Sequence, residues 1–318
     1  MDVDGSPHRD PELWFDDGNI ILQAGNNMLD FPQPSDSERV EGCPLVRLVD
    51  SETEVAVFLK AIFDSEFFRP FPVYTELKII VGVLRLSHKY EVGHLGRRAL
   101  IHLSSTYDTE LARWDRVTVP TDELGHSNMN HPAINLRSWW WTQNNADFIV
   151  LIPLVQEVGA LWLLPDIFYN FAAVFHELDR DIFIRILTQL SVENQMAFFS
   201  GHAIQSKTAA SEIMGSLSTG IIDGCSTPEK CTQRRLIAVD DLTSEIGDNP
   251  SDPLGIWGTG DWLSLAESVC PTCLASLRTT HQAARQEFWD ELPEIYVLPS
   301  WEELEKLKLE AIGTNWLT

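Results

Sequence analysis

Residues 76–103 constrain the fold most, because their apolar side chains recur at the spacing of two consecutive helices. The first helix would carry one apolar face, formed by Leu77, Ile80, Leu84 and Ser87. Thr75 precedes this run and is a suitable N-cap residue. Gly93 or Gly96 then lets a second helix start at a new angle. This stretch therefore predicts a packed pair of helices.

The same stretch resembles the helical end of a BTB/POZ domain. The positions that match its "A-x-K-Y-x-V-x-x-L" signature and apolar register are Leu84, Ser87, Lys89, Tyr90, Val92, Leu95, Ala99 and Leu103. Upstream, residues 16–23 resemble the first BTB strand and residues 46–51 the next one. Ser51 and Glu54 then form a capping box for a helix. Its apolar face would contain Val55, Phe58, Leu59 and Ile62.

Further segments are similar to one group within this family, the BTB-containing proteins of mushroom-forming (basidiomycete) fungi. These segments are residues 31–34, 41–46 and 86–92, together with a Cys-Pro-x-Cys motif and a Trp-Glu-Glu-Leu motif near the end. The resemblance covers most of the chain, and it implies both a fold class and a function.

The predicted fold class is α+β, with a BTB/POZ-like domain of a small sheet and helices at 12–116. A linker rich in turn formers follows at 117–147, and a mainly α-helical C-terminal domain occupies 148–318. The BTB-like domain is shortened, because residues 24–30 stand where the family has a strand and a helix of about 20 residues together. Either this domain relies on the rest of the chain, or the sequence is a splice variant or an inaccurate gene model.

Composition limits the classes of function. The 318 residues are 44% apolar, which is enough to build a large core, divided in our interpretation between two domains. The chain has 23 basic and 47 acidic residues, for a formal net charge of −24. This excess of negative charge opposes contact with phosphate backbones and anionic membranes. We therefore predict no direct binding of nucleic acid.

The distribution of hydrophobic residues predicts an intracellular protein without a membrane span. Residues 1–11 carry no apolar run of the kind that forms a signal peptide. The most hydrophobic stretch, 148–175, is interrupted by Glu157, by Asp166 and by prolines. We interpret it as two helices, the first ended by Pro165. The expected location is the nucleus or the cytoplasm, and secretion is not expected.

Four of the five cysteines form two pairs, Cys225 with Cys231 and Cys270 with Cys273. The second pair is a C-x-x-C motif with proline in its turn, which suits half of a tetrahedral zinc shell. The first pair has a looser spacing, and His281 is an alternate ligand on the helical face of Cys273. Zinc binding, separate buried thiols and a redox or disulfide pair are the open interpretations. Reduced intracellular thiols disfavour the last one.

The resemblance implies a non-enzymatic scaffold or adaptor that binds protein partners and self-associates through its BTB-like domain. Such a protein acts as a ubiquitin-ligase adaptor on a cullin, or as a transcriptional co-regulator. The chain contains no G-x-S-x-G, Walker, G-x-G-x-x-G or H-E-x-x-H motif, so no catalytic or organic cofactor-binding residue is predicted. Any zinc would be structural, because a four-thiolate shell has no open position. The alternative is a metal-dependent enzyme, in which fewer cysteines and a water complete the zinc shell.

Overall fold

The structure is a computed structural model. It describes residues 13, 21–24, 39–40, 43–117, 147–174, 180–218, 220–248 and 251–314. The chain divides into two compact units, Met1–Leu103 and Ser104–Thr318. The predicted domain limits, 12–116 and 148–318, stay predictions. Nearly all of the predicted linker at 117–147 lies outside the described residues.

Three short strands lie in the described part of the first unit. They are β1 Ile21–Ala24, β2 Arg39–Val40 and β3 Cys43–Leu48. Strand β3 lies between the other two, parallel to β1 and antiparallel to β2. The predicted strands at 16–23 and 46–51 overlap β1 and β3 but have different ends. Most described residues are helical, which confirms the helical character of the fold class. That these strands form a BTB-type sheet stays a prediction.

Three helices follow the strands: α1 Glu52–Phe63, α2 Leu77–Lys89 and α3 Gly93–Ser104. Ser51 is the N-cap of α1, but its side chain makes no capping bond. The predicted partner, Glu54, pairs instead with Arg85 of α2. Helix α2 has Glu76 as its N-cap, so the prediction that Thr75 caps it is wrong by one residue. Thr75 lies one residue before the cap and is buried.

The contacts of α2 and its C-cap explain three residues, Gly82, Lys89 and Tyr90. Helix α1 approaches α2 closely at Gly82, where a Cβ atom would lie 2.6 Å from Val57 Cγ2. At the end of α2, Lys89 Nζ and Tyr90 Oη donate to the Asp50 carboxylate at 2.5 and 2.6 Å. Although burial opposes the change, these bonds lower the pKa of Asp50. The Lys-Tyr pair therefore ties the end of α2 to the segment between β3 and α1.

The described part of the second unit is helical. Its helices are α4 Leu111–Val117, α5 Asp147–Glu157, α6 Leu164–Val174, α7 Arg180–Gln189, α8 Val192–Ile204, α9 Ala210–Leu217, α10 Pro228–Asp248, α11 Thr259–Ala266, α12 Pro271–Ile295 and α13 Trp301–Ile312. Short 3-10 turns occupy Leu161–Leu163 and Pro253–Gly255, and a π-helical turn occupies Gln205–Ala209. Among the described helices of the whole chain, none has both the length and the apolar content needed to cross a bilayer.

Helices α5 and α6 form the apolar centre of the second unit. Side chains on both of them are fully buried, among them Leu151, Leu154, Val155, Ile167, Phe168 and Phe171. The prediction of two helices in this stretch is confirmed, but the prediction that Pro165 ends the first one is wrong. Helix α5 ends at Glu157, and Pro165 lies in the first turn of α6. A proline is favourable there, because the N–H it lacks would have no intrahelical partner.

A buried glutamine joins three segments of the second unit. Gln205 Nε2 donates to the carbonyl oxygens of Tyr169 and Ser251 at 3.1 and 2.6 Å. Its Oε1 atom accepts from Tyr296 Oη at 2.6 Å. Gly201 makes room for that tyrosine, since a Cβ atom there would lie 2.3 Å from the ring. These polar atoms are thus satisfied inside the core, which fixes α8 against the end of α12.

The sequence predicts a C-terminal helix opened by a Ser300–Glu303 capping box and stopped by Gly313, with Leu304, Leu307 and Ala311 pointing inward. Helix α13 begins and ends at these residues. Ser300 and Glu303 form the predicted capping box, and Gly313 ends the helix with a φ of 76°. Of the side chains predicted to point inward, Leu304 is buried, whereas Leu307 and Ala311 are only partly covered. The buried face instead continues through Lys308 and Ile312. Lys308 Nζ donates to Thr109 Oγ1 at 2.6 Å and pairs with the Glu305 carboxylate at 3.2 Å, which allows this charged residue to be buried.

Candidate metal centre

Each cysteine pair lies at the start of a helix. Cys231 is in the first turn of α10, which begins at Pro228, and Cys225 lies in the turn before that helix. Cys270 is the N-cap of α12, and Cys273 lies in its first turn. Proline follows the cap of both helices, where its fixed φ favours the first turn. The N-terminal ends of helices carry partial positive charge, which stabilises nearby thiolates.

The four sulfur atoms come together in one cluster. Their Sγ atoms all lie within 4.8 Å of one another. The separation between Cys225 Sγ and Cys270 Sγ is 3.8 Å. A tetrahedral zinc ion with bonds of about 2.3 Å would hold its sulfurs about 3.8 Å apart. The cluster is therefore compatible with a zinc site and would need only a small contraction to form the complete shell.

Two of the thiols have environments that favour loss of the proton. The backbone N–H groups of Cys273 and Ser226 lower the pKa of Cys270 to about 6. Burial opposes the charged form of Cys231, but hydrogen bonding lowers its pKa nonetheless. The Thr227 hydroxyl lies 3.2 Å from Cys231 Sγ, and the Cys270 N–H donates to the same sulfur at 3.3 Å. Both sulfurs are thus prepared to act as metal ligands.

The other two thiols hold their protons more strongly. Burial raises the pKa of both Cys225 and Cys273, and for Cys273 the neighbouring cysteine side chains add to the rise. Four thiolates without a metal would repel one another, so this cluster cannot be fully ionised by itself. A bound divalent cation would supply the charge that lets all four lose their protons.

The predicted alternate ligand, His281, does not join this cluster. Among the described residues, the group of potential ligands that includes the four cysteines contains no histidine. His281 Nε2 instead lies 3.1 Å from the Ile256 carbonyl oxygen, and its ring meets Trp262 edge-on. Burial first, and the charge of Arg285 second, lower its pKa to about 4. The ring is thus a neutral, buried side chain of α12 that packs against α11.

Cysteine spacing alone does not reveal Thr227, which lies beside Cys231, or the burial of Arg235 on the same helix. Thr227 precedes Pro228, and threonine followed by proline is typical of a helix start. This pattern predicts that Thr227 lies in the same turn as Cys231. Arg235 has no comparable signal, although it is one helical turn after Cys231. These two positions, Cys231 and Arg235, are the only buried ones among the α10 side chains that the structure describes. The described buried side chains of α10 are therefore a thiol and a charged group.

No model of a known family matches the chain, and no curated protein or solved structure matches it either. The interpretation of the centre accordingly depends on its own geometry and chemistry.

Proposed function

We propose that this chain is a non-enzymatic protein-interaction module whose C-terminal unit is stabilised by a structural zinc ion. The observation that carries the zinc proposal is the set of four sulfur atoms within 4.8 Å of one another. Zinc is the metal that sets of four thiolates most often bind at such spacing when they come from two short-range pairs. A shell of four thiolates leaves no position for a catalytic water, so the expected role is structural.

The proposed zinc ion would connect the starts of two helices. Cys225 and Cys231 flank the start of α10, whereas Cys270 and Cys273 open α12. The chain between the two pairs contains most of α10, all of α11 and the turn at Pro253–Gly255. Closing this segment with a metal reduces the conformational freedom of the unfolded chain and adds the free energy of metal binding to folding.

Metal content distinguishes the structural site from the enzyme alternative. We expect the reduced, purified chain to contain one zinc ion, and each of C225S, C231S, C270S and C273S to lose it. Cys43 is the fifth cysteine, so C43S is the matched control and should keep the metal. Elemental analysis and the visible spectrum of the Co²⁺-substituted chain measure these outcomes. An enzyme with three thiol ligands would tolerate one of the four substitutions, and retention in all four variants would refute zinc binding at this cluster.

The interaction role rests on the resemblance to BTB proteins and on exposed apolar side chains in the first unit. Ile62 and Phe63 end α1, and 44% and 64% of their surfaces are accessible to solvent. Contiguous exposed apolar patches mark protein-binding surfaces, and we place the contact at these two neighbouring side chains. The partners that the resemblance suggests are a second copy of this chain, and a cullin or a co-repressor. The net charge of −24 makes a protein partner more suitable than nucleic acid.

Solution mass tests self-association directly. We expect light scattering over a concentration series to show a mass that rises from 36.0 kDa toward twice that value. The F63S substitution should weaken the association, because it removes exposed apolar area from the first unit. Val297 is similarly exposed, at 75%, but belongs to the second unit, so V297S is the control that should associate like wild type. A mass of 36.0 kDa at every concentration would refute self-association.

A further inference from the structure

Arg235 is a buried charged residue, and only 4% of its surface is accessible. Its Nη2 atom donates to the Gly220 carbonyl oxygen at 3.1 Å, whereas its Nε atom has no hydrogen-bond partner among the described residues. Within the part of the chain that the structure describes, no carboxylate forms an ion pair with it. A buried guanidinium in this state is costly unless an anion lies close to it.

The position of Arg235 points to the sulfur cluster as that anion. Arg235 follows Cys231 by four residues, and side chains with this separation are neighbours on one helix face. Helical side chains also lean toward the N-terminus, which directs the long arginine side chain toward the turn that carries Cys231. Its bond to Gly220 reaches the segment that leads to Cys225. Arg235 therefore lies on the helix face of Cys231 and bonds to the segment that leads to Cys225.

We propose that Arg235 is a positioning residue of the metal centre, and that its charge balances the zinc-bound thiolates. This inference rests on the proposed zinc site. A zinc ion with four thiolates carries two net negative charges, and a buried cation beside it lowers the free energy of that state. The same bond to Gly220 fixes the segment that presents Cys225. Without metal, four neighbouring thiolates would repel one another, so the cluster carries less negative charge to balance the buried guanidinium.

The proposal predicts that replacing Arg235 by an apolar residue destabilises the zinc-bound chain but not the metal-free chain. R235M is expected to weaken Zn²⁺ binding by about 10- to 100-fold, the usual range for residues that support metal ligands. The metal-free R235M chain should be at least as heat-stable as metal-free wild type, because an unpaired buried charge is replaced by an apolar side chain. A purely structural arginine would instead destabilise both states when it is replaced. R235K keeps the charge and should restore most of the affinity.

The experiment is a competition titration of the full chain with Zn²⁺ and a chromophoric chelator, together with the melting temperature with and without Zn²⁺. R234M is the matched control, since Arg234 is exposed on the same helix and should bind Zn²⁺ like wild type. Equal affinities of R235M and R234M would overturn the role of Arg235. An R235K chain as weak as R235M would overturn charge balance as its cause. A wild-type chain that binds no Zn²⁺ would refute the zinc site itself, so the two failures are distinguishable.

Discussion

Removal of zinc is expected to release α10 from the second unit. The two described buried side chains of this helix are Cys231 and Arg235. Two of its apolar residues, Leu236 and Ile237, are 50% and 45% exposed, so these two add little buried area. Structural zinc sites contribute about 10–16 kcal/mol of binding free energy in zinc-finger peptides, and this contribution would be lost with the metal. An isolated helix of the 21 residues of α10 is only marginally stable in water.

Hydrogen exchange with and without a chelator measures this release. We expect amides of α10 to lose most of their protection when zinc is removed, and the melting temperature to fall. Peptides from α6 serve as an internal control, because Ile167, Phe168 and Phe171 remain buried in the apolar centre. Protection of α10 that does not change on chelation would contradict the proposal. Hydrogen bonds among the thiols would then be sufficient to hold this helix.

The cysteine cluster was predictable because zinc ligands follow rules of short-range geometry. A C-x-x-C motif at the start of a helix places two sulfurs on one turn, whatever the rest of the fold is. The meeting of Cys231 with Cys270, 39 residues later, was predictable only from the need of the metal for four ligands. His281 was ambiguous for the same reason. Helical periodicity placed it on the face of Cys273, but the distance along α12 separates it from the sulfur cluster.

Arg235 could not be predicted as buried, although it shares a helical face with the apolar residues Cys231, Val239 and Leu242. An arginine on such a face usually extends its charged end to solvent, and only tertiary packing reveals that this one is covered. Tertiary packing also limits how well the N-cap residues can be predicted from the sequence. Ser300 caps α13 as predicted, whereas Thr75 is buried by the fold and leaves the cap position of α2 to Glu76. The preference of a residue type for the capping position decides where a helix begins only when tertiary packing does not bury that residue.

A second large effect is expected from Asp166, whose side chain is fully buried in the first turn of α6. Its carboxylate accepts from the Asp108 backbone N–H at 3.0 Å, from Trp114 Nε1 at 3.2 Å and from Asn170 Nδ2 at 2.6 Å. Hydrogen bonds to a charged group contribute about 1.5–3 kcal/mol each, and buried donors left without an acceptor cost more free energy. The start of α6 adds a favourable dipole interaction. We expect D166A to lower the free energy of unfolding by about 3–5 kcal/mol.

Equilibrium unfolding in urea, followed by tryptophan fluorescence, measures this loss as a lower midpoint. D290A is the control, because Asp290 is exposed and accepts a surface bond from Gln286. Its free energy of unfolding should change by less than about 0.5 kcal/mol. D166N keeps the size and one acceptor oxygen, so it should fall between D166A and wild type. If D166A lost less than about 1 kcal/mol, apolar packing of α5 and α6 would hold this region without the carboxylate. A large loss would instead mean that Asp166 fixes α4 and the residues before it onto α6, so that a buried charge sets the arrangement of these elements.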